Sequence, residues 1–372
     1  MKKILSVILT FVVSVSAAFA FASCQDVNDE IKKVKNLIII IGDGMGLEHI
    51  KAAEIYEGED YGFTNWHQTT VNTDSYLGEN YYTLTDSAAG GTAIATGTLT
   101  VNGYVGVDHK GEELSTIMDV AKQKGKATAV LTTDTIYGAT PASFSAHALN
   151  RGNSGAIAVS QLTSSNVDLL CGTIDGITTA GYIKECAAEN GYVYCDSPDQ
   201  AWSTVGEEKA YWQLDLAGVN ATVELCEATS YALEFVEKDE DGFVMMIEQA
   251  HVDKYSHGSD FIGAICSVIS LKNTVQTVMD WMGDRDDTAV LITADHETGG
   301  LAVSDSEEDY PRSFEKSNGQ LGSYFFSTGD HTRSYVGLFV YGAKPNFSAF
   351  EFYASNSYIK NTETYKLMEK LI

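Results

Sequence analysis

The chain is marked by short, unbroken apolar runs rather than by alternating ones. Leu37–Ile41, Ala127–Leu131, Phe243–Ile247, Ala289–Thr293 and Val336–Tyr341 each have the length of a strand. Alternation would leave one face for water. Continuity predicts strands covered on both faces, as in a mainly parallel sheet. Between the runs, the apolar period lengthens to that of a helix at Glu112–Lys124, which Gly125 closes, at Thr222–Lys238 and at Phe261–Met282. Strands alternating with helices predict a doubly wound α/β fold, with helices on both faces and small insertions. In such sheets ligands gather at the carboxyl edge, so the residues just past each run carry the interest.

Past the first run comes Gly42-Asp43-Gly44-Met45-Gly46. A dinucleotide-binding loop would need a third glycine where Leu47 stands, and the Asp43 carboxylate would repel a pyrophosphate. Two readings of Asp43 stay level: a metal ligand, or the N-cap of a helix starting near Leu47. The third run leads into Glu248, Asp253 and His257, spaced E-x4-D-x3-H. One helical turn puts Asp253 and His257 on one face, as part of a zinc site or as an ordinary surface pair. The fourth run ends in Asp295 and His296, and His331 precedes the fifth. These donors suit two zinc ions of about three protein ligands each, leaving Glu248 for a harder cation. His49, His67, His109, His147 and His251 read as structural or supporting residues.

Ser87 opens a run of small residues, SAAGGTAIATG, that reads as a helix start. The dipole there, and far more a metal, would favour its alkoxide. Taken alone, the segment reads as an N-cap at Asp86 or Ser87. Thr140 precedes Pro141, which predicts an extended loop residue offering a hydroxyl. Arg151 could grip a phosphate with two N–H groups or form a surface ion pair. Neither G-x-S-x-G nor GxxxxGK[ST] occurs, which disfavours a Ser-His-Asp esterase and a P-loop nucleotide enzyme.

A net charge of −27 excludes nucleic acid as a binding partner and disfavours adsorption to anionic membranes. An anionic substrate would then need local positive charge, which bound cations supply. At the N-terminus, Lys2 and Lys3 precede an apolar run to Ala22, an export signal over residues 1–23 with Ala18-Phe19-Ala20 as one cleavage site. Phe21-Ala22-Ser23-Cys24 resembles a bacterial lipobox, which would place a lipid on Cys24. An uncleaved anchor is the third reading, and all three put the chain outside the cytoplasm. Residues 24–35 form a polar tether and 36–372 a single domain, in which no later segment reads as membrane-spanning. The cysteines Cys171, Cys186, Cys195, Cys226 and Cys266 lack a CxxC pattern, and one or two disulfides are expected in the 171–226 region.

In their order, "IGDGMG", "DSAAGGTA", "ATPA" with a downstream arginine, "E-x4-D-x3-H", "TADH" and a late "HT" resemble the alkaline phosphatase family from about Asn36 to Tyr341. The resemblance implies a secreted or lipid-anchored bacterial enzyme, in the periplasm or at the cell surface. It would hydrolyse small phosphate monoesters of broad range with two Zn2+ and one Mg2+. Ser87 would become phosphorylated and Arg151 would grip phosphate. Asp253, His257 and His331 would hold one zinc; Asp43, Asp295 and His296 the other. Thr140 and Glu248 would hold magnesium together with Asp43. Lys254 would reach phosphate through water. Gly138 departs from the family, whose members often carry Asp or His there in support of magnesium. The short interval from His296 to His331 makes a family-like homodimer a weaker expectation. The rival readings are a phosphodiesterase or sulfatase of the superfamily, or a non-catalytic lipoprotein that binds phosphate or metal. "DSAAGG" lacks the C/S-x-P-x-R that a sulfatase needs.

Overall fold

The computed structural model describes residues 32–372 except 80, 164–165, 177–179, 217–220, 222 and 346–356. The export segment, Cys24 and the tether up to Ile31 lie outside the described residues.

A ten-stranded sheet organises the fold. In chain order its strands are β1 (Asn36–Gly42), β2 (His67–Asn72), β3 (Ala127–Thr135), β4 (Leu169–Thr173), β5 (Val193–Cys195), β6 (Ala210–Trp212), β7 (Phe243–Gln249), β8 (Thr288–Thr293), β9 (Val336–Tyr341) and β10 (Ile359–Lys360). They lie side by side as β10-β2-β9-β8-β1-β7-β3-β4-β6-β5. Leu37 to Ile41 are each 0% exposed, so both faces of β1 are covered. Each such side chain contributes about 1.5–3 kcal/mol.

All neighbours pair in parallel except at β9, which runs antiparallel to both β8 and β2. The fifth apolar run is therefore a strand, as expected, but a reversed one. Its starting end sits at the same edge as the carboxyl ends of its neighbours. Register fixes that edge: Ile41 lies opposite both Thr293 and Glu248, and Thr132 opposite Glu248.

One helix group comprises Leu47–Glu57, Leu225–Val236, His251–His257 and Phe261–Met282; another comprises Ser87–Thr96, Ile117–Gln123, Ala139–Ser145 and Asn361–Leu371. The helix expected from Glu112 begins only at Ile117. Thr116 accepts from the Asp119 amide and Asp119 accepts from the Thr116 amide, which fixes the start. Phe261–Met282 is, against expectation, long and apolar enough to cross a membrane by length and composition. Here Ala264, Val268, Leu271, Val275 and Val278 are buried within the fold, which explains that apolarity. The expected disulfides are not formed: Cys171, Cys186, Cys195, Cys226 and Cys266 are free thiols.

Candidate metal centre and active site

Asp43 leaves β1 into a tight turn in which Gly44 has φ +71°. A Cβ at Gly44 would lie 2.8 Å from the Asp253 Cα, so only glycine lets this backbone pass. The Gly44 amide donates to Asp295 Oδ1 at 3.2 Å. The N-cap of the following helix is Gly46, which removes the capping reading of Asp43. Asp295 and His296 follow β8 with 0% exposure. His296 Nε2 lies 3.4 Å from Asp43 Oδ1 and 3.3 Å from Asp295 Oδ2. Those three residues form one donor group and Asp253, His257 and His331 form another. Asp253 Oδ1 is 3.3 Å from His257 Nε2 and 3.5 Å from His331 Nε2.

The imidazoles are aimed by their other nitrogens. His257 Nδ1–H donates to the Gly329 carbonyl at 2.6 Å and His331 Nδ1–H to the Thr85 carbonyl at 2.8 Å. Thr298 Oγ1 donates to Asp253 at 2.5 Å, so it accepts from His296 Nδ1–H at 3.2 Å. Every Nε2 is thereby turned toward the carboxylates. The His296 and His331 rings stack at 3.6 Å, which joins the two groups.

Ser87 is the first residue of the Ser87–Thr96 helix and is 4% exposed. Its Oγ lies 3.2 Å from His296 Nε2. Asp86 is the N-cap, accepting from the Ala89 amide at 3.0 Å. Its other oxygen meets Arg151 Nη1 at 3.2 Å, so the exposed guanidinium is held by the residue that precedes Ser87.

Buried Asp43 Oδ1 and Asp295 Oδ2 have no hydrogen-bond partner. Burial first, then the Asp295, Asp253 and Glu248 charges, push the Asp43 carboxyl well above its ordinary range. Burial likewise raises Glu248, to about 8. His296 is lowered by burial and stays neutral. Crowded acids and orphaned oxygens are what divalent cations require of a protein.

The alkaline phosphatase family model matches residues 34–175 and 208–366. This chain belongs to the alkaline phosphatase family. It is 30% identical over 338 residues to alkaline phosphatase 3 of Bacillus subtilis, covering 82% of this chain and 71% of that one. To the alkaline phosphatase of Escherichia coli it is 29% identical over 333 residues, 71% of this chain and 70% of that one. The solved alkaline phosphatase of the Antarctic bacterium TAB5 superposes with a TM-score of 0.75 at 24% identity, covering 92% of this chain and 98% of that one. The chain is thus a phosphatase of a metal-dependent family with the mainly parallel α/β fold read from its sequence.

The phosphatase holds Glu248 and Thr140 beside this centre, though not as drawn from the sequence. Thr140 is not extended; it lies in the first turn of Ala139–Ser145, where Pro141 costs no helical hydrogen bond. Lys254 points its ammonium at Asp134, Nζ to Oδ2 at 2.7 Å. Asp134, Thr132 and Thr298 were missed in the sequence. Thr298 had a signal, two residues past His296. Thr132 and Asp134 lie in the polar end of β3, past the apolar Ala127–Leu131 run.

Proposed function

We propose that the phosphatase hydrolyses phosphate monoesters through a phosphoserine formed on Ser87. The observation that carries this is the Ser87 hydroxyl 3.2 Å from His296, inside the Asp43/Asp295/His296 group. Asp253, His257 and His331 would hold one zinc, and Asp43, Asp295 and His296 a second. Asp43, Thr140 and Glu248 would hold magnesium. When bound, such ions neutralise phosphoryl and leaving-group oxygens and lower the pKa of the hydroxyl and water that meet them.

The chain's own residues do the rest. Arg151, steadied by Asp86, offers two N–H donors to the phosphoryl oxygens. Ser87 Oγ sits at the helix start, where the aligned peptide dipoles favour negative charge. As the Oγ–P bond forms, the serine proton is lost and the ester P–O bond breaks, releasing an alcohol that takes a proton. Water then breaks the Oγ–P bond, giving inorganic phosphate and the free serine. Nothing in this chemistry grips the alcohol, so substrate range is broad. Export, a lipid on Cys24 and a homodimer belong to the same reading.

Ser87→Ala is expected to lose aryl phosphate turnover by at least about three orders of magnitude, as when a nucleophile is removed elsewhere, while zinc content stays level. Near-native turnover would remove Ser87 from the role. A diester hydrolysed faster than the matching monoester would favour the phosphodiesterase reading.

A further inference from the structure

The end of β3 carries a carboxylate that the two zinc sites do not use. The Asp134 amide donates to Thr132 Oγ1 at 3.0 Å, and that buried hydroxyl donates in turn to Glu248 Oε2. The Asp134 charge acts on Glu248 directly, as one of the charges that oppose its ionisation. Lys254 Nζ balances it from 2.7 Å.

Gly138 lies next to Asp134. A Cβ built on Gly138 would stand 3.7 Å from Asp134 Oδ2, in ordinary van der Waals contact, so the aspartate borders the space a longer side chain at 138 would enter. The same Cβ would lie 2.9 Å from the Thr135 carbonyl, and the Gly138 amide donates to that carbonyl at 2.8 Å. This backbone leaves no room for a side chain at 138. Beside the cluster, Thr140 meets the Glu248 carboxylate and Asp43 Oδ1 is buried without a hydrogen-bond partner, an oxygen free to face a cation.

We propose that Asp134 is a positioning residue for the divalent cation of Glu248, Thr140 and Asp43, supplying from the strand end the negative charge that position 138 does not. The inference rests on the three-ion reading of the site. The ion is of the hard, oxygen-preferring class, of which magnesium is the probe. Lys254 is the counter-charge that lets a further carboxylate stand next to buried Glu248, and it meets the site through Asp134.

The test is a calorimetric magnesium titration of zinc-loaded protein, comparing wild type with Asp134→Asn, Asp134→Ala and Glu248→Gln. Removing a supporting group outside the ligand set typically weakens a metal by about 10- to 100-fold. That loss is expected for both Asp134 variants, with zinc content per chain unchanged. Glu248→Gln should abolish the magnesium signal. If both Asp134 variants bind magnesium like wild type while Glu248→Gln does not, the role of Asp134 is overturned and the three-ion reading stands. Wild type showing no magnesium signal that depends on Glu248 overturns both. The near-isosteric Asn variant decides the matter if the Ala variant unfolds in zinc-only buffer.

Discussion

Arg151 and Asp86 act as a unit. One Asp86 oxygen satisfies the Ala89 amide, and the other takes both the Gly103 amide at 2.9 Å and the Arg151 guanidinium. A surface ion pair by itself is worth little; here its value lies in where it holds the arginine. Hydrogen bonds to charged groups contribute about 1.5–3 kcal/mol, so Arg151→Ala should weaken competitive inhibition by inorganic phosphate by roughly 10- to 100-fold. An unchanged inhibition constant would mean the guanidinium does not meet substrate. His331 offers a second check. Burial works against its protonation, but the hydrogen bonds to Asp253 and to the Thr85 carbonyl carry its pKa above the ordinary value. His331→Ala should cost the Asp253/His257 group its zinc, read as the loss of about one equivalent in metal analysis.

Local elements decide how well such sites can be seen in a sequence. The apolar runs of β1, β3, β7 and β8 were legible because burial on both faces writes itself into unbroken aliphatic stretches. Asp43, Glu248, Asp295 and His296 were legible with them, since they follow those runs. The starts near Leu47, at Ser87 and at Phe261 were legible too, but the one expected at Glu112 was not. Thr116 and Asp119 set the Ile117 boundary through a reciprocal pair of hydrogen bonds that the apolar period does not reveal. Thr140 was placed in a loop by its proline, although a first helical turn tolerates proline equally well. Asp134 stayed invisible because its meaning depends on what Gly138 lacks, across a turn. The cap on the Ser87 helix makes a prediction at this scale. Asp86→Ala should lower stability by about 0.5–2 kcal/mol, the usual cost of losing an N-cap. It should also weaken phosphate binding, because Arg151 loses its support. Thermal melting and phosphate inhibition should therefore move together; melting that falls with unaltered inhibition would confine Asp86 to the cap.

For the whole molecule, the acid cluster makes stability depend on both cations and pH. Burial pushes the Glu248 carboxyl up to about 8 from its ordinary 4.5 and raises Asp43 too. A folded state that keeps protons the unfolded chain has released loses stability as pH rises. Chelator-stripped protein is therefore expected to melt at progressively lower temperature from about pH 4.5 to about pH 8. Zinc plus magnesium should restore the melting temperature at the alkaline end, and Glu248→Gln should flatten the slope of the stripped protein. A melting profile of the stripped protein that is flat across that range would contradict the burial of these acids. One reversal in the sheet carries a further consequence. Because β9 runs against its neighbours, His331 reaches the carboxyl edge from the far side of the sequence, after every other donor has been translated. A nascent polypeptide halted before it would own the Asp43/Asp295/His296 trio and two-thirds of the other site, yet could not clasp both ions. On the two-ion reading proposed above, the second cradle is complete only once that last imidazole has been made.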